Sequence, residues 1–291
     1  MRKIIAFILL ILPVIAGAVE SVGTSADHVA VPDSIIRPVS SHFTYDVGSA
    51  LVANTYLTPL KYTGWGMRLG YDRTQAMRFR PDQLVQRIAA GLDLDRTENP
   101  ARNATMWRLV ADFSYGVTWR WRLPYEITVA GGLSTGVDLG VVYNNRNGNN
   151  PVAVEAAWTV NITGAAMWRH TFWGKKVLFT YRPTIPLTGV FFSPDYGELF
   201  YEISLGNHSG LAHCAWWGNY FRMENLLTAD IAFGSTELRI GFRNNILSTR
   251  VNNITTRVVT CAAVIGVGGT WISVSPYKGI SADARIISAT Y

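Results

Sequence analysis

The sequence predicts an all-β fold, a transmembrane antiparallel up-and-down β-barrel of about twelve strands, within a range of roughly ten to fourteen. Three observations predict it: long segments in which apolar and polar residues strictly alternate, connections that alternate between short and long, and an unusual composition. Of 291 residues, 48% are apolar and only 16% charged, with 10 Trp, 13 Tyr and 26 Gly. Soluble domains average about 25% charged residues, and a disordered chain is poorer in apolar side chains. Past residue 18 no apolar run is long enough for a helical span.

In chain order, Arg2 and Lys3 form a basic start, Ile4 to Ile15 an apolar run, and Ala16-Gly17-Ala18 a small-residue exit. Residues 1–18 therefore read as a secretory signal peptide cut before Val19. Residues 19–39 follow as a periplasmic N-terminal segment, 40–275 as an outer-membrane barrel, and 276–291 as a C-terminal tail or final strand. The whole chain carries a formal charge of +6, and removing Arg2 and Lys3 lowers it to +4. That is too mild for a nucleic-acid partner, and export argues further against one.

The strongest strand signal runs from Trp107 to Arg122. Trp107, Leu109, Ala111, Phe113, Tyr115, Val117, Trp119 and Trp121 occupy the odd positions. Arg108, Val110, Asp112, Ser114, Gly116, Thr118, Arg120 and Arg122 fall between them, all but Val110 polar or Gly. A strand sends these two sets to opposite faces, whereas a helix would scatter the charges around its circumference. At about 3.3 Å per residue the segment is long enough to cross an apolar band of about 25 Å at a tilt of about 40°. The pattern recurs at Phe43–Leu51, Trp65–Tyr71, Ile127–Val141, Val152–Trp168 and Leu238–Phe242. Trp107, Trp121 and Trp168 sit near strand ends, where interfacial aromatic girdles belong. The weak stretch is 199–233, where the alternation breaks around Gly206 and Gly218.

Short turns are expected at Arg80-Pro81-Asp82, Leu123-Pro124-Tyr125-Glu126, Trp173-Gly174-Lys175 and Gly234-Ser235. Longer loops fall at Thr55–Lys61, Thr97–Thr105, Asn144–Pro151 and Ser193–Glu198, with a shorter one near Arg250–Asn253. Outer-membrane barrels have short periplasmic turns and longer outer loops, so the parity places the mature N-terminus in the periplasm.

Several strings together resemble a Bacteroidota family of uncharacterised outer-membrane β-barrels, a domain-of-unknown-function family. They are Asn54–Lys61 (NTYLTPLK), Tyr143–Pro151 (YNNRNGNNP), Phe192–Gly197 (FSPDYG), Tyr201–Asn207 (YEISLGN) and Val251-Asn252-Asn253. The resemblance covers roughly residues 40–275. It implies fold and an outer-membrane location, and it brings no substrate, cofactor or catalytic residue.

Enzymatic chemistry finds little support. A barrel hydrolase needs Ser and His on one face, hence at spacing i,i+2 in a strand. His208-Ser209 are adjacent and point apart unless Gly206 and Gly210 make a turn, so a polar loop tip is the favoured reading. Ser40 and His42 have the spacing but lack an evident third member. His208 and His213 are five apart, and no H-x-x-x-H or C-x-x-C occurs, so no metal or cofactor is expected. Cys214 and Cys261 are the two cysteines. Export would permit a disulfide, but both read better as small apolar barrel residues. The Asn-rich loop YNNRNGNNP is either a glycan-contacting surface or, as its turn-forming composition favours, a structured turn.

The inferred inner faces carry Arg68, Arg87, Arg108, Arg120, Arg122, Arg169, Arg182, Arg239 and Arg243 against Asp46, Asp72, Asp93, Asp95, Asp112, Asp138, Glu155 and Glu237. Charges in a lumen are paired or wetted. The candidate site is therefore a lumen ion-pair network of Arg108, Asp112 and Arg120 with Asp93, Asp95 and Asp138. The function expected is a narrow or plugged pore or a structural barrel, not an enzyme. The alternatives are an outer-membrane lipid hydrolase or deacylase and a soluble periplasmic β-sandwich binding protein. Expected partners are outer-membrane lipid and the barrel assembly machinery, with a small solute or surface glycan also open.

Overall fold

The alternating segments form strands in the computed structural model, which describes residues 35–206, 210–272 and 284–290. In chain order they are β1 (Val39–Asn54), β2 (Lys61–Ala76), β3 (Leu84–Glu98), β4 (Thr105–Leu123), β5 (Ile127–Asn144), β6 (Val152–Phe172) and β7 (Lys175–Phe192). After a five-residue helix, α1 (Phe200–Ser204), come β8 (Ala212–Ala215), β9 (Tyr220–Phe233), β10 (Thr236–Val251) and β11 (Ile254–Trp271). The described residues belong to the unit Ser34–Tyr291. The signal peptide, most of the segment 19–39, His208-Ser209 and residues 273–283 lie outside the described residues.

Consecutive strands pair antiparallel from β1 through β7. β7 then pairs with β9, β9 with β10 and β10 with β11, and β11 returns to β1 over Val39–Asn54. Ten strands thus close a barrel, which removes the free sheet edges. β8 adds four residues to β7 beyond the end of β9. The expected count of about twelve is corrected to ten for a local reason. The segment between Phe192 and Tyr220 supplies α1 and β8 where two further full crossings would have been needed.

One end of the barrel has tight turns. Tyr125 and Glu126 both have positive φ (62° and 59°), as do Trp173 and Gly174 (45° and 73°), the twist of a two-residue type I′ hairpin. The β2–β3 connection at this end is not the short turn expected at Arg80-Pro81-Asp82 but spans residues 77–83, as long as the β5–β6 loop at the other end, where Asn252 and Asn253 (52° and 59°) make a tight turn. Residues 284–290 form no barrel strand. Ile286 makes a single parallel bridge to Ile36, beside the start of β1.

The two faces divide as the period requires. Phe43, Leu69, Leu109, Phe113, Leu133, Leu139 and Ile265 stand exposed on the outside. Their neighbours Thr44, Arg68, Arg108, Asp138 and Val264 are buried inside. Outward aromatics gather at both rims. Trp65 and Trp107 meet edge to face at 6.5 Å towards the long loops, and Trp168 stacks on Phe179 at 5.6 Å near the short turns.

Candidate functional site

The lumen is the site, and its inward side chains fall into three layers. Towards the long loops, Val52, Tyr62, Met106, Val142, Phe191, Tyr220, Leu247 and Val258 pack with Leu57 and Ala104 from the loops into one apolar cluster. Val52 and Met106 are wholly buried. Tyr56 closes the cluster, its hydroxyl donating to the Glu198 carbonyl at 2.6 Å. Burial first, then the carboxylates of Glu198 and Glu202, hold the Tyr56 phenol above its ordinary pKa.

The middle layer is ionic. Arg108 forks Glu155 at 2.8 and 2.7 Å and donates to Asp95 at 2.9 Å. Arg68 reaches Asp93 at 2.6 Å and forks Asp112 at 2.5 and 2.9 Å. To do so it passes over β3 at Gly91, where an added Cβ would lie 1.9 Å from its guanidinium. Arg222 pairs with Asp138 at 2.5 Å. Arg243 bonds Asp46 at 2.6 Å and also Glu224. Arg239 forks Asp230 at 2.6 and 2.8 Å. Arg87 and Arg182 share Asp72, at 2.6 Å from Arg87 Nε and 3.4 Å from Arg182. His42 Nε2 meets Glu237 at 2.9 Å.

These cations are required by the strand register. Asp112 and Asp138 are direct cross-strand partners on β4 and β5, a like-charge pair that repels unless cations intervene. Arg68 and Arg222 arrive from two other strands and take one carboxylate each. Bidentate Arg–carboxylate pairs also fix long side chains in one orientation. Cavities remain between the layers, about 70 Å3 beside Arg68 and Arg222 and about 50 Å3 on either side of it. Each has room for a few waters.

The third layer lies at the short-turn end, where residues 284–290 enter the mouth. Ile287, Ser288 and Ala289 are buried. Arg120 donates to the Asp82, Pro81 and Ser288 carbonyls at 2.9, 3.0 and 2.5 Å. Arg169 donates to the Thr290 carbonyl at 3.0 Å. The Ile287 N–H donates to the Ile36 carbonyl and the Ile36 N–H to the Arg285 carbonyl, both at 2.9 Å, and Arg285 pairs with Asp82 at 2.8 Å.

The structure therefore distributes the sequence-derived candidates. Arg108 and Asp95 come together. Asp93 and Asp112 meet through Arg68, and Asp138 is held by Arg222. Arg120 departs from the expectation, because it stands at the mouth and binds backbone carbonyls. Arg222, Glu224 and Asp230 escaped the sequence reading because β9 lies in the stretch with broken alternation. The signal was nonetheless present: Tyr220, Arg222, Glu224, Leu226, Thr228 and Asp230 recur at period two.

Ser40 and His42 both face inward and are buried, and Glu237 supplies the carboxylate beside His42 that the sequence did not reveal. His42, Asp230 and Glu237 bring ligand-type atoms within 4.8 Å of one another, but the Arg239 fork on Asp230 already places a cation there. Cys214 and Cys261 are free thiols. In the loop YNNRNGNNP, Asn144 accepts from Arg146 N, and Asn147 from Asn149 N and Asn150 N, within the loop. Asn145 accepts from Thr105 N and Asn147 donates to the Leu57 carbonyl, which ties the loop to its neighbours.

The model of a family described as "Protein of unknown function (DUF3316)" matches residues 5–278. No curated protein matches. Among solved structures the chain is similar to the outer membrane protease OmpT of Escherichia coli, with a TM-score of 0.40 and 7% identity over 85% of this chain and 100% of that one. It is also similar to the transport unit of the autotransporter AIDA-I from Escherichia coli, with a TM-score of 0.31 and 7% identity over 86% and 94%. A third is an outer membrane channel from Pseudomonas putida F1, with a TM-score of 0.31 and 9% identity over 86% and 100%.

Proposed function

The chain belongs to the DUF3316 family, and from its geometry we propose that it is an outer-membrane β-barrel whose lumen is plugged, a narrow or gated pore and not a standing channel. The apolar outer face with aromatic rims supports the membrane location, since a closed barrel satisfies its backbone without water. One observation carries the plug: Arg182 and Asp72 join opposite walls of the barrel at 3.4 Å, with an apolar layer on one side and residues 284–290 on the other. Its partners on this reading are outer-membrane lipid and the barrel assembly machinery.

The test is bilayer conductance of the refolded protein. Porins of about 16–18 strands hold open aqueous channels, and this barrel is expected to show no steady conductance of that size. A large, steady conductance overturns the reading. The protein is also expected to fractionate with outer membranes and to migrate faster unboiled than boiled, while recovery in the soluble periplasmic fraction overturns the location. The reading assigns no catalysis. Lipid hydrolysis that disappears in Ser40→Ala would replace it with an enzyme.

A further inference from the structure

The barrel wall is bonded unevenly. Most neighbouring strands are laddered over nearly their whole length, as β4 and β5 are from Met106 to Leu123. β7 and β9 pair only from Val177 to Thr184. β7 is next engaged on that side at Gly189–Phe192, by β8. Ile185–Thr188 therefore have no ladder partner there, and Tyr220–Met223 of β9 pair with β10 alone. On the other side of β7, the register with β6 slips between Val160 and Asn161.

We propose that this seam is a lateral binding site for one hydrocarbon chain of an outer-leaflet lipid, with Trp217 as its cover. The inference rests on the membrane reading and adds a ligand to it. A gap in a wall surrounded by hydrocarbon persists only where its backbone polar groups are already satisfied. Pro186 brings no N–H, and its carbonyl accepts the Trp217 indole N–H. The turn that offsets the chain from β7 is specified locally. The Asn219 side chain accepts from Trp216 N and donates to the Cys214 carbonyl, both at 2.9 Å. At Gly218 an added Cβ would lie 2.1 Å from the exposed Trp216 ring, which would have to turn aside.

The chemistry on both sides selects the occupant. Outside, Leu187 and Val190 are exposed on the wall, and Trp216 and Trp217 stand 62% and 59% exposed beside them. Inside, the rings of Phe191 and Tyr220 lie 5.2 Å apart at the seam's border, backed by Leu247 and Ala215 of the apolar layer. The one charged residue of the β9 border, Arg222, is turned to Asp138. A water-soluble solute would meet this apolar border only through the plugged lumen, whereas a lipid chain already lies against the wall.

The test is photolabelling of the refolded protein in phosphatidylethanolamine vesicles doped with a diazirine-tailed phospholipid, with labelled residues mapped by mass spectrometry. Label is expected at Ile185–Thr188 and at Trp217 at several times the level found at Leu133 and Leu139, which stand as exposed on β5 as Leu187 and Trp217 do at the seam. Trp217→Ala is expected to raise labelling at Ile185–Thr188, and Trp121→Ala, exposed on the distant β4, to leave it unchanged. Uniform label around the wall in a protein that keeps its heat-dependent gel shift overturns the proposal and spares the barrel reading. A chain that fails to enter vesicles overturns both. A parallel arm with free diazirine palmitate distinguishes the source, and label from the free acid alone overturns the lipid assignment.

Discussion

Arg182 on β7 and Asp72 on β2 meet at 3.4 Å, although their strands stand on opposite sides of the ten-strand ring. A contact of that length across the whole width divides the lumen at its level. Asp72 serves Arg87 as well, so one carboxylate holds two guanidiniums from facing walls. The side chains at this level act as struts, and the lumen charges are structural before they are anything else.

Asp72→Asn is expected to destabilise the barrel by about 3–5 kcal/mol, the usual cost of leaving buried charge without its partner. Urea unfolding in detergent measures it. Adding Arg182→Gln to Asp72→Asn should restore part of the loss, because it removes one of the two stranded cations. A double variant no more stable than the single one would show that Arg182 was never held by Asp72.

Gly91→Ala tests the passage of Arg68 over β3. The new methyl would lie 1.9 Å from a guanidinium that Asp93 and Asp112 pin. Overpacking of this kind costs about 1–3 kcal/mol, again measured by urea unfolding. Gly136→Ala, whose nearest neighbour would be 3.5 Å away, is expected to be far milder.

Facing is tested on β4. Ala111→Arg, on the exposed side, is expected to cost about 2–4 kcal/mol if that side meets lipid near the midplane. Ser114→Arg, on the inner side, should disturb assembly less. Equal assembly, or the reverse order, contradicts the membrane-facing assignment of this surface.

How far the sequence showed this arrangement depended on whether a feature was local. Trp107–Arg122 announced β4 and both its faces because period two is a property of neighbouring residues. The turns at Tyr125-Glu126 and Trp173-Gly174 were equally local. Which strand met which was not. Arg68 skips β3 to reach Asp112, and Arg222 crosses from β9 to Asp138 on β5, neither of which is a sequence neighbour. The strand count failed where the chain stops alternating, at α1 and at the Trp216–Asn219 offset. Arg120 was misplaced because its partners are carbonyl oxygens, which no pattern of side chains reveals.

Tyr56 gives the loop end an alkaline limit. Its phenol is held above the ordinary value in the folded state by burial and by Glu198 and Glu202. Folding therefore favours the neutral form. The contribution is complete below the unfolded value of about 10 and is lost as pH rises above it. Protection of the Leu57 and Thr58 amides, which bond the Asn54 carbonyl, measured against their intrinsic exchange rate, should fall in that range. Tyr56→Phe should remove this pH dependence.

The mouth, the middle layer and the apolar layer are barriers in series, and that makes a stringent test. Arg120 binds the Ser288 carbonyl with a charged donor, a bond worth about 1.5–3 kcal/mol. Arg120→Ala should loosen residues 284–290, seen as faster hydrogen exchange at Ser288–Thr290. Arg122→Ala, at a half-exposed side chain 3.8 Å from Asp82, is the comparison and should loosen them less. Loosening the mouth leaves the Arg182–Asp72 struts in place, so Arg120→Ala alone is expected to conduct no more than the unmodified protein. Asp72→Asn alone leaves the mouth filled. Barriers in series pass current only when every one is lowered, so a triple variant that adds Met106→Ala to open the apolar layer should show conductance well above any of the single changes. If Arg120→Ala by itself conducted as well as the triple variant, the middle and apolar layers would be no barrier, and residues 284–290 would be the whole of the plug.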